Sequence, residues 1–112
     1  MKKTLIIGAS PNSDRYAYKA AHRLIEKGHE IVNIGIKNGE VAGVKIEKPG
    51  TPYQDIDTIT LYIGQDLQAG YYDYILQTKP NRVIFNPGAE NEELEGLLAQ
   101  HDIEYTEACT LV

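Results

Sequence analysis

The residues best suited to chemistry lie near the start of the chain, where an apolar run ends in a small, polar turn. Residues 5–7 are apolar, and a helix-type spacing of apolar side chains begins near Tyr16. The connecting turn is Gly8-Ala9-Ser10-Pro11-Asn12-Ser13. The first amides of a helix lack internal acceptors and lie at the positive end of its dipole. A strand–turn–helix unit of this kind is suited to bind phosphate or another anion.

Two cations and one aromatic residue accompany this turn. Arg15 stands at the start of the predicted helix, where a cation opposes the helix dipole. Its position therefore favours an anion or a carboxylate nearby. Lys37 follows the second predicted strand and adds a cation from another loop. Tyr16 is the tyrosine that we expect close to a ligand.

The elements that must position these residues alternate between strands and helices. The predicted strands are Thr4–Gly8, Glu30–Ile36, Asp57–Ile63, Arg82–Phe85 and Ile103–Thr106. The predicted helices run from Asp14 or Arg15 to Lys27, from Leu67 to Thr78 and from Asn91 to Gln100, with Ser13 or Asp14 as the first N-cap. Asn38-Gly39 predicts a turn that leads into a short extended piece. The pattern predicts one three-layer, Rossmann-like α/β domain over residues 1–112, with a five-stranded parallel sheet of order 3-2-1-4-5.

Four predicted strand ends carry small or turn-forming residues. They are Gly8, Gly35, Gly64 and the segment Asn86-Pro87-Gly88. Right-handed crossovers place the carboxyl ends of parallel strands at one edge of the sheet. Ligands of such folds bind outside that edge, so these loops predict a shared crevice.

Composition excludes several other classes of protein. The chain has 112 residues and a formal net charge of -5, so it lacks the basic surface typical of nucleic-acid or polybasic membrane binding. No apolar run approaches the ~20 residues of a membrane span, and the start does not resemble a signal peptide. Cys109 is the single cysteine, which excludes an internal disulfide and fits a cytoplasmic location. The three histidines lack metal-ligand spacing, so no metal site is expected.

The first turn differs from the known phosphate-binding fingerprints. It has one glycine where the dinucleotide motif needs three, and the P-loop pattern is absent. The second strand ends near Lys37 and lacks the acidic residue that binds the ribose of NAD. NADP or another phosphorylated adenosine is therefore favoured over NAD. No catalytic set is visible, and the acidic run from Glu90 to Glu95 is interpreted as a solvated helix start.

Several short motifs, taken together and in order, resemble the small bacterial CoA-binding proteins. These motifs are Gly8-Ala9-Ser10-Pro11-Asn12, Arg15-Tyr16, Asn86-Pro87-Gly88 and Glu107-Ala108-Cys109. The single domain of those proteins is similar to the CoA-binding domain of the succinyl-CoA synthetase alpha subunit. The resemblance covers essentially the whole chain and implies a Rossmann-like domain that binds coenzyme A at the strand-end edge.

The resemblance also implies roles for individual residues. The diphosphate would be held by Ser10, Pro11, Asn12 and Ser13, and Lys37 would lie near the ADP portion. The rest of the groove would be lined by Tyr62, Ile63, Gly64, Asn86, Pro87 and Gly88. The first turn carries less glycine than the synthetase turn, and no histidine lies in a matching context, so succinyl-CoA synthesis is not implied.

The resulting hypothesis is non-covalent binding of coenzyme A or an acyl-CoA. Two alternatives stay open: an NADP-linked oxidoreductase, and a regulatory module that senses a nucleotide or binds a protein. The expected partner is a small nucleotide ligand, with no nucleic acid and no membrane. The sequence gives no basis for predicting an oligomeric state.

Overall fold

A computed structural model describes residues 3–111 of the chain. The first strand, β1 (Lys3–Ile7), leads into the first helix, α1 (Tyr16–Glu26). The other strands are β2 (Glu30–Ile34), β3 (Glu40–Val41), β4 (Val44–Glu47), β5 (Thr58–Leu61), β6 (Arg82–Phe85) and β7 (Glu104–Glu107). The other helices are α2 (Gln65–Gln68), α3 (Tyr72–Thr78) and α4 (Glu92–Gln100). Residues 1, 2 and 112, at the ends of the predicted domain, lie outside the described residues.

The sheet has seven strands in the order β3-β4-β2-β1-β5-β6-β7, and all neighbours are parallel except β3 and β4. The prediction of five strands in the order 3-2-1-4-5 is therefore wrong. The strand predicted as the third is β5, and it pairs with β1 instead of lying outside β2. The Rossmann-like α/β class and the largely parallel sheet are confirmed.

The place outside β2 is taken by the β3–β4 hairpin, which the sequence indicated only as a turn and an extended piece. Asn33 of β2 is fully buried, and its Nδ2 donates to the carbonyls of Val41 at 3.2 Å and Val44 at 3.0 Å. Buried polar groups need partners, and the Nδ2 group finds its partners in the hairpin, whereas Oδ1 has none within residues 3–111. Asn33 thus holds the hairpin on β2 and adds the two strands that were not predicted.

The start of α1 differs from the prediction of a side-chain cap. Arg15 occupies the N-cap position, and no side chain accepts a hydrogen bond there. Asn12 Oδ1 instead accepts from the Asp14 amide at 2.9 Å, which is a local Asx turn. The predicted cap at Ser13 or Asp14 is therefore wrong. At the other end, Gly28 has φ +84°, as expected for a left-handed helix terminus.

The single helix predicted from Leu67 to Thr78 is divided. A 3-10 turn at Ala69–Tyr71, which includes Gly70, separates α2 from α3. Gln68, the last residue of α2, has a fully buried side chain. The short α2 begins at Gln65, soon after β5 ends at Leu61.

Helices cover the sheet on two sides. One apolar cluster joins α1 to β1 and β2 through Ala17, Ala21, Ile6 and Ile31. A larger cluster packs α3 and α4 on the opposite side of the strands, with Leu5, Ile7, Ile59, Leu61, Phe85, Tyr74, Ile75, Leu94 and Leu98. Alternate strand residues thus face different layers, and the strand ends stay open between those layers.

Candidate ligand-binding site

The carboxyl ends of β2, β1, β5 and β6 lie side by side, and the segments that follow them enclose a cleft of about 520 Å³. We call it the strand-end cleft. Eleven predicted site residues line it: Gly8, Ala9, Ser10, Arg15, Tyr16, Lys37, Tyr62, Ile63, Gly64, Pro87 and Gly88. Adjacent strands lie about 4.8 Å apart, so this row of four ends extends over roughly 14 Å. The volume of the cleft is in the range of small-molecule binding sites.

Two glycines allow the strand ends to approach one another. Gly8 has φ +98°, and a Cβ there would lie 2.9 Å from Ile63 Cγ2 and 3.1 Å from the Tyr62 carbonyl carbon. A Cβ at Gly35 would overlap the carbonyl oxygen of Ala9. The first turn is therefore wedged between the ends of β2 and β5, and only glycine fits at these two positions.

The amides of the first turn divide into two groups. The amides of Gly8 and Ala9 both donate to the Ile34 carbonyl at 2.9 Å, so their hydrogen bonds join the first turn to the end of β2. Within residues 3–111, the amides of Ser10, Tyr16 and Ala17 donate to no protein acceptor. These three residues line the cleft, at the positive end of the α1 dipole. They leave donors free for an anion.

Three predicted residues of the first turn lie outside the cleft lining. Pro11, Asn12 and Ser13 are exposed. Ser10 Oγ accepts from the Asn12 amide at 3.1 Å, and the Asn12 carbonyl accepts from the Arg15 amide at 3.1 Å. These bonds fix the shape of the turn. A direct contact between Pro11, Asn12 or Ser13 and a ligand stays a prediction.

Asn86 was predicted to meet the ligand, and it lies buried below the loop instead. Its Nδ2 donates to Thr60 Oγ1 at 2.6 Å and to the Leu61 carbonyl at 2.8 Å. Its Oδ1 accepts from the amide and the hydroxyl of Thr110, at 2.9 and 3.0 Å. Because an asparagine amide has two donors and two acceptor lone pairs, all its bonding capacity is used. Asn86 joins β5, β6 and the segment after β7.

Positive charge is concentrated on the β1–β2 side of the cleft, where Arg15 and Lys37 lie. The one ion pair formed within residues 3–111 joins Lys3 and Glu30 at 3.9 Å, so neither cleft cation is neutralised by a carboxylate there. Asp14 also lines the cleft. Lys19 lies close by, with its Nζ 5.1 Å from the centre of the Tyr16 ring. Arg15 and Lys37 thus line the same cleft as residues of the first turn, and their contact with an anion stays a prediction.

Several residues that line the cleft, mainly apolar ones, were not predicted from the sequence. Ile36 is 80 % exposed and Leu67 is 64 % exposed, although both are large and apolar. Ala17, Tyr71 and Ala89 complete this group. Ile36 was assigned to the second strand, and Leu67 and Tyr71 to a continuous helix. Ile36 directly follows Gly35, which ends the strand, and an apolar residue at such a position is a signal from which a lining residue could have been predicted.

Two tyrosines of the cleft stay protonated at neutral pH. Burial raises the pKa of Tyr71. Burial also raises the pKa of Tyr62, while the neighbouring hydroxyls of Thr110 and Thr60 act in the opposite direction. Both phenols can therefore donate hydrogen bonds. Cys109 lies half-buried in the segment after β7, outside the cleft lining.

The acidic run at the start of α4 is only partly solvated, which corrects the interpretation from sequence. Glu90 Oε1 accepts from the Gly88 amide at 2.9 Å and so supports a cleft loop. The pKa of Glu95 is raised to about 7, first by burial, then by the hydrogen bond to Glu107 and by the charges of Glu107, Glu92 and Glu90.

In residues 3–111, no group of His, Cys, Asp and Glu side chains is arranged to hold a metal ion. No helix in this part of the chain has the length and apolar character to span a bilayer.

Comparison with protein families matches residues 2–112 to the family described as CoA binding domain. The chain belongs to this family. No curated protein matches it. Among solved structures, an uncharacterized protein is 53 % identical, with a TM-score of 0.96 over 99 % of this chain and 92 % of that one.

Two further solved structures are more distant. A hypothetical protein from Pyrococcus horikoshii OT3 is 23 % identical, with a TM-score of 0.88 over 98 % of this chain and 79 % of that one. A protein from Thermus thermophilus is 18 % identical, with a TM-score of 0.85 over 96 % of this chain and 81 % of that one. At these identities, the similarity to the two structures shows a shared fold only. Membership of the CoA binding domain family agrees with the family that the sequence motifs resemble.

Proposed function

We propose that this member of the CoA binding domain family binds coenzyme A or an acyl-coenzyme A non-covalently in the strand-end cleft. The observation that carries the proposal is the combination of free helix-start amides with two unpaired cations on one side of that cleft. Coenzyme A bears a diphosphate and a 3′-phosphate, so it needs both kinds of group. Arg15 and the amides of Ser10, Tyr16 and Ala17 would hold the diphosphate.

Lys37 and Ile36 would receive the adenosine part. Both follow the end of β2, one strand away from the first turn. The ammonium group of Lys37 suits an extra phosphate on the ribose, and the exposed side chain of Ile36 offers an apolar surface for a base. An NADP-type ligand shares this extra phosphate, so it is the competitor that the experiment must exclude.

Calorimetric titration of the chain with CoA, NADP and NAD tests the proposal directly. We expect CoA to bind most tightly and NAD most weakly. Arg15→Glu and Lys37→Glu should each weaken CoA binding about tenfold or more, because a charge-assisted hydrogen bond contributes about 1.5–3 kcal/mol. Both variants should fold, since these side chains form no ion pair within residues 3–111.

Lys45→Glu is the matched control. Lys45 is exposed on β4, outside the cleft lining, and its replacement changes the net charge by the same amount. We expect it to leave CoA affinity within about twofold, because screening removes most of the effect of a distant surface charge. Equal losses in all three variants would show that overall charge, and not the cleft, governs binding. Tighter binding of NADP than of CoA would overturn the proposal.

A further inference from the structure

The two sides of the strand-end cleft differ in chemistry. Because the strand order is β2-β1-β5-β6, Lys37 and the loop at Pro87–Ala89 lie at opposite ends of the row. Arg15 and Lys37 belong to the β1–β2 side. The lining of the β5–β6 side consists of Tyr62, Ile63, Gly64, Leu67, Tyr71 and residues 87–89, and it contains no charged side chain. A ligand that fills the cleft is expected to be anionic at one end and apolar at the other.

Leu67 is the most exposed apolar residue of the β5–β6 side, at 64 %. Its position is fixed, because the next residue, Gln68, is fully buried and donates from Nε2 to the carbonyls of Ile63 at 2.9 Å and Ala89 at 2.6 Å. An exposed leucine held in place at the rim of a concave site is typical of a ligand contact.

Several polar groups next to Leu67 already have protein partners. Gln68 uses both Nε2 hydrogens as described, and its Oε1 accepts from Asn91 at 2.9 Å. The Gly88 amide donates to Glu90, and the Ala89 amide donates to the Asn86 carbonyl at 2.8 Å. A polar group of a ligand that lies against these paired groups gains no hydrogen bond from them, which is costly. An aliphatic group needs no such partners and gains from burial.

Tyr71 supplies a polar group that an acyl thioester can use on this side. Its hydroxyl donates to no acceptor within residues 3–111, and burial raises its pKa, so it remains a donor at neutral pH. A thioester carbonyl is a suitable acceptor for this hydroxyl. Tyr71 and Leu67 line the same cleft, so a donor for the carbonyl and a surface for the alkyl chain occur together.

We propose that the surface formed by Ile63, Leu67 and Tyr71 is an acyl subsite, and that the ligand is a coenzyme A thioester of an uncharged aliphatic acid, preferred over free coenzyme A. The inference rests on the proposed function, because the nucleotide part must occupy the cationic side.

Titrations with CoA, acetyl-CoA, hexanoyl-CoA and succinyl-CoA test the subsite. Each buried methylene should increase affinity about fourfold, so hexanoyl-CoA is expected to bind at least tenfold more tightly than CoA. Succinyl-CoA should show no such gain, because its carboxylate would enter a surface without a cation. Equal affinities for CoA and hexanoyl-CoA would overturn the acyl subsite while leaving coenzyme A binding intact. Binding of none of the four ligands would overturn the proposed function itself.

The variant Leu67→Ser tests whether the gain in affinity from the acyl chain depends on contact with Leu67. The ratio of hexanoyl-CoA to CoA affinity should fall to within about threefold of one in this variant. Ile25→Ser is the matched control, because Ile25 is also a large apolar residue, 40 % exposed, and lies on α1 outside the strand-end cleft. It should keep the native ratio. An unchanged ratio in Leu67→Ser, or an equal fall in Ile25→Ser, would overturn the assignment.

Discussion

At Gly8, the backbone conformation and the available space both exclude a side chain. Its φ is +98°, and a Cβ would lie 2.9 Å from Ile63 Cγ2. Replacement by alanine combines the cost of a left-handed backbone with that of overpacking. We expect Gly8→Ala to lower the free energy of unfolding by about 2–4 kcal/mol, measured by urea denaturation.

Gly28→Ala separates the two contributions to this loss. Gly28 also has a positive φ, +84°, but nothing lies within 4 Å of the position of its Cβ. This variant should lose only the conformational part, about 1–2 kcal/mol. Equal losses at Gly8 and Gly28 would contradict the close approach of the first turn to β5.

Glu95 makes the stability of the fold depend on pH. Its pKa rises from the ordinary 4.5 to about 7, first through burial and then through the hydrogen bond and charge of Glu107. Between about pH 4.5 and 7 the unfolded chain releases this proton before the folded chain does. The free energy of unfolding therefore falls as the pH rises through this window, and the loss is complete above it.

Glu95→Gln should remove this loss. We expect the variant to be more stable than the native chain at pH 8, by about 1–2 kcal/mol after solvent screening, and equally stable near pH 4.5. Glu93→Gln changes the net charge equally and lies exposed on the same helix, so it should keep the native pH dependence. Urea denaturation at both pH values measures this. If the free energy of unfolding of Glu95→Gln depended on pH as strongly as that of the native chain, the Glu95–Glu107 contact would be contradicted.

Single residues also show where the site was predictable. Gly8, Ser10, Arg15 and Lys37 line the strand-end cleft, and a glycine turn and a cation at a helix start are local signals from which that position could be predicted. The hydrogen bonds of Asn86 to Thr60, Leu61 and Thr110 could not be predicted, because only the fold reveals them. A sequence shows that a polar residue follows a strand, but not whether its partners lie within the protein.

At the scale of elements, α2 forms one wall of the cleft, and a single buried side chain holds it there. Gln68 bonds to the end of β5, to the loop after β6 and to Asn91 at the start of α4. Gln68→Met keeps a similar volume but removes one hydrogen bond from each of the Ile63 and Ala89 carbonyls and one of the two from Asn91 Nδ2. We expect a loss of about 2–4 kcal/mol in the free energy of unfolding, together with weaker CoA binding.

Gln65→Met tests whether this loss is specific. Gln65 begins the same helix and is exposed, so its replacement should change stability by less than about 0.5 kcal/mol. Calorimetric titration and urea denaturation of both variants provide the comparison. If Gln68→Met were as stable as Gln65→Met, the proposed anchoring of α2 would be wrong.

The same element shows why the topology was only partly predictable. The apolar spacing from residue 67 to 78 is compatible with one helix, whereas the structure has a 3-10 turn at Ala69–Tyr71, directly after Gln68 and its tertiary hydrogen bonds to Ile63 and Ala89. Likewise, the β3–β4 hairpin depends on buried Asn33, eight or more residues away in sequence. Local patterns predicted the alternation of strands and helices. The strand order depends on such distant contacts, which local patterns do not contain.

At the scale of the whole molecule, the cleft exists only when the fold is complete. Its walls follow β1, β2, β5 and β6, and they include residues from Gly8 to Ala89. The unfolded chain cannot bring these segments together, so a ligand of the cleft binds the folded state alone. Binding must therefore raise the free energy of unfolding, by about 2.7 kcal/mol when free ligand is 100-fold above its dissociation constant.

This linkage predicts the response of global unfolding to CoA and to its parts. At such a concentration we expect the thermal midpoint to rise by about 8–16 °C, with no change in the denaturant m-value because the unfolded surface is the same. Pantetheine lacks the diphosphate and the 3′-phosphate, so at equal concentration it should leave the midpoint within about 1 °C of the ligand-free value. The cationic side of the cleft, with Arg15 and Lys37, then accounts for the difference between the two ligands. An equal shift with pantetheine would mean that the apolar side alone anchors the ligand. The anion-binding role of the α1 start would then be wrong.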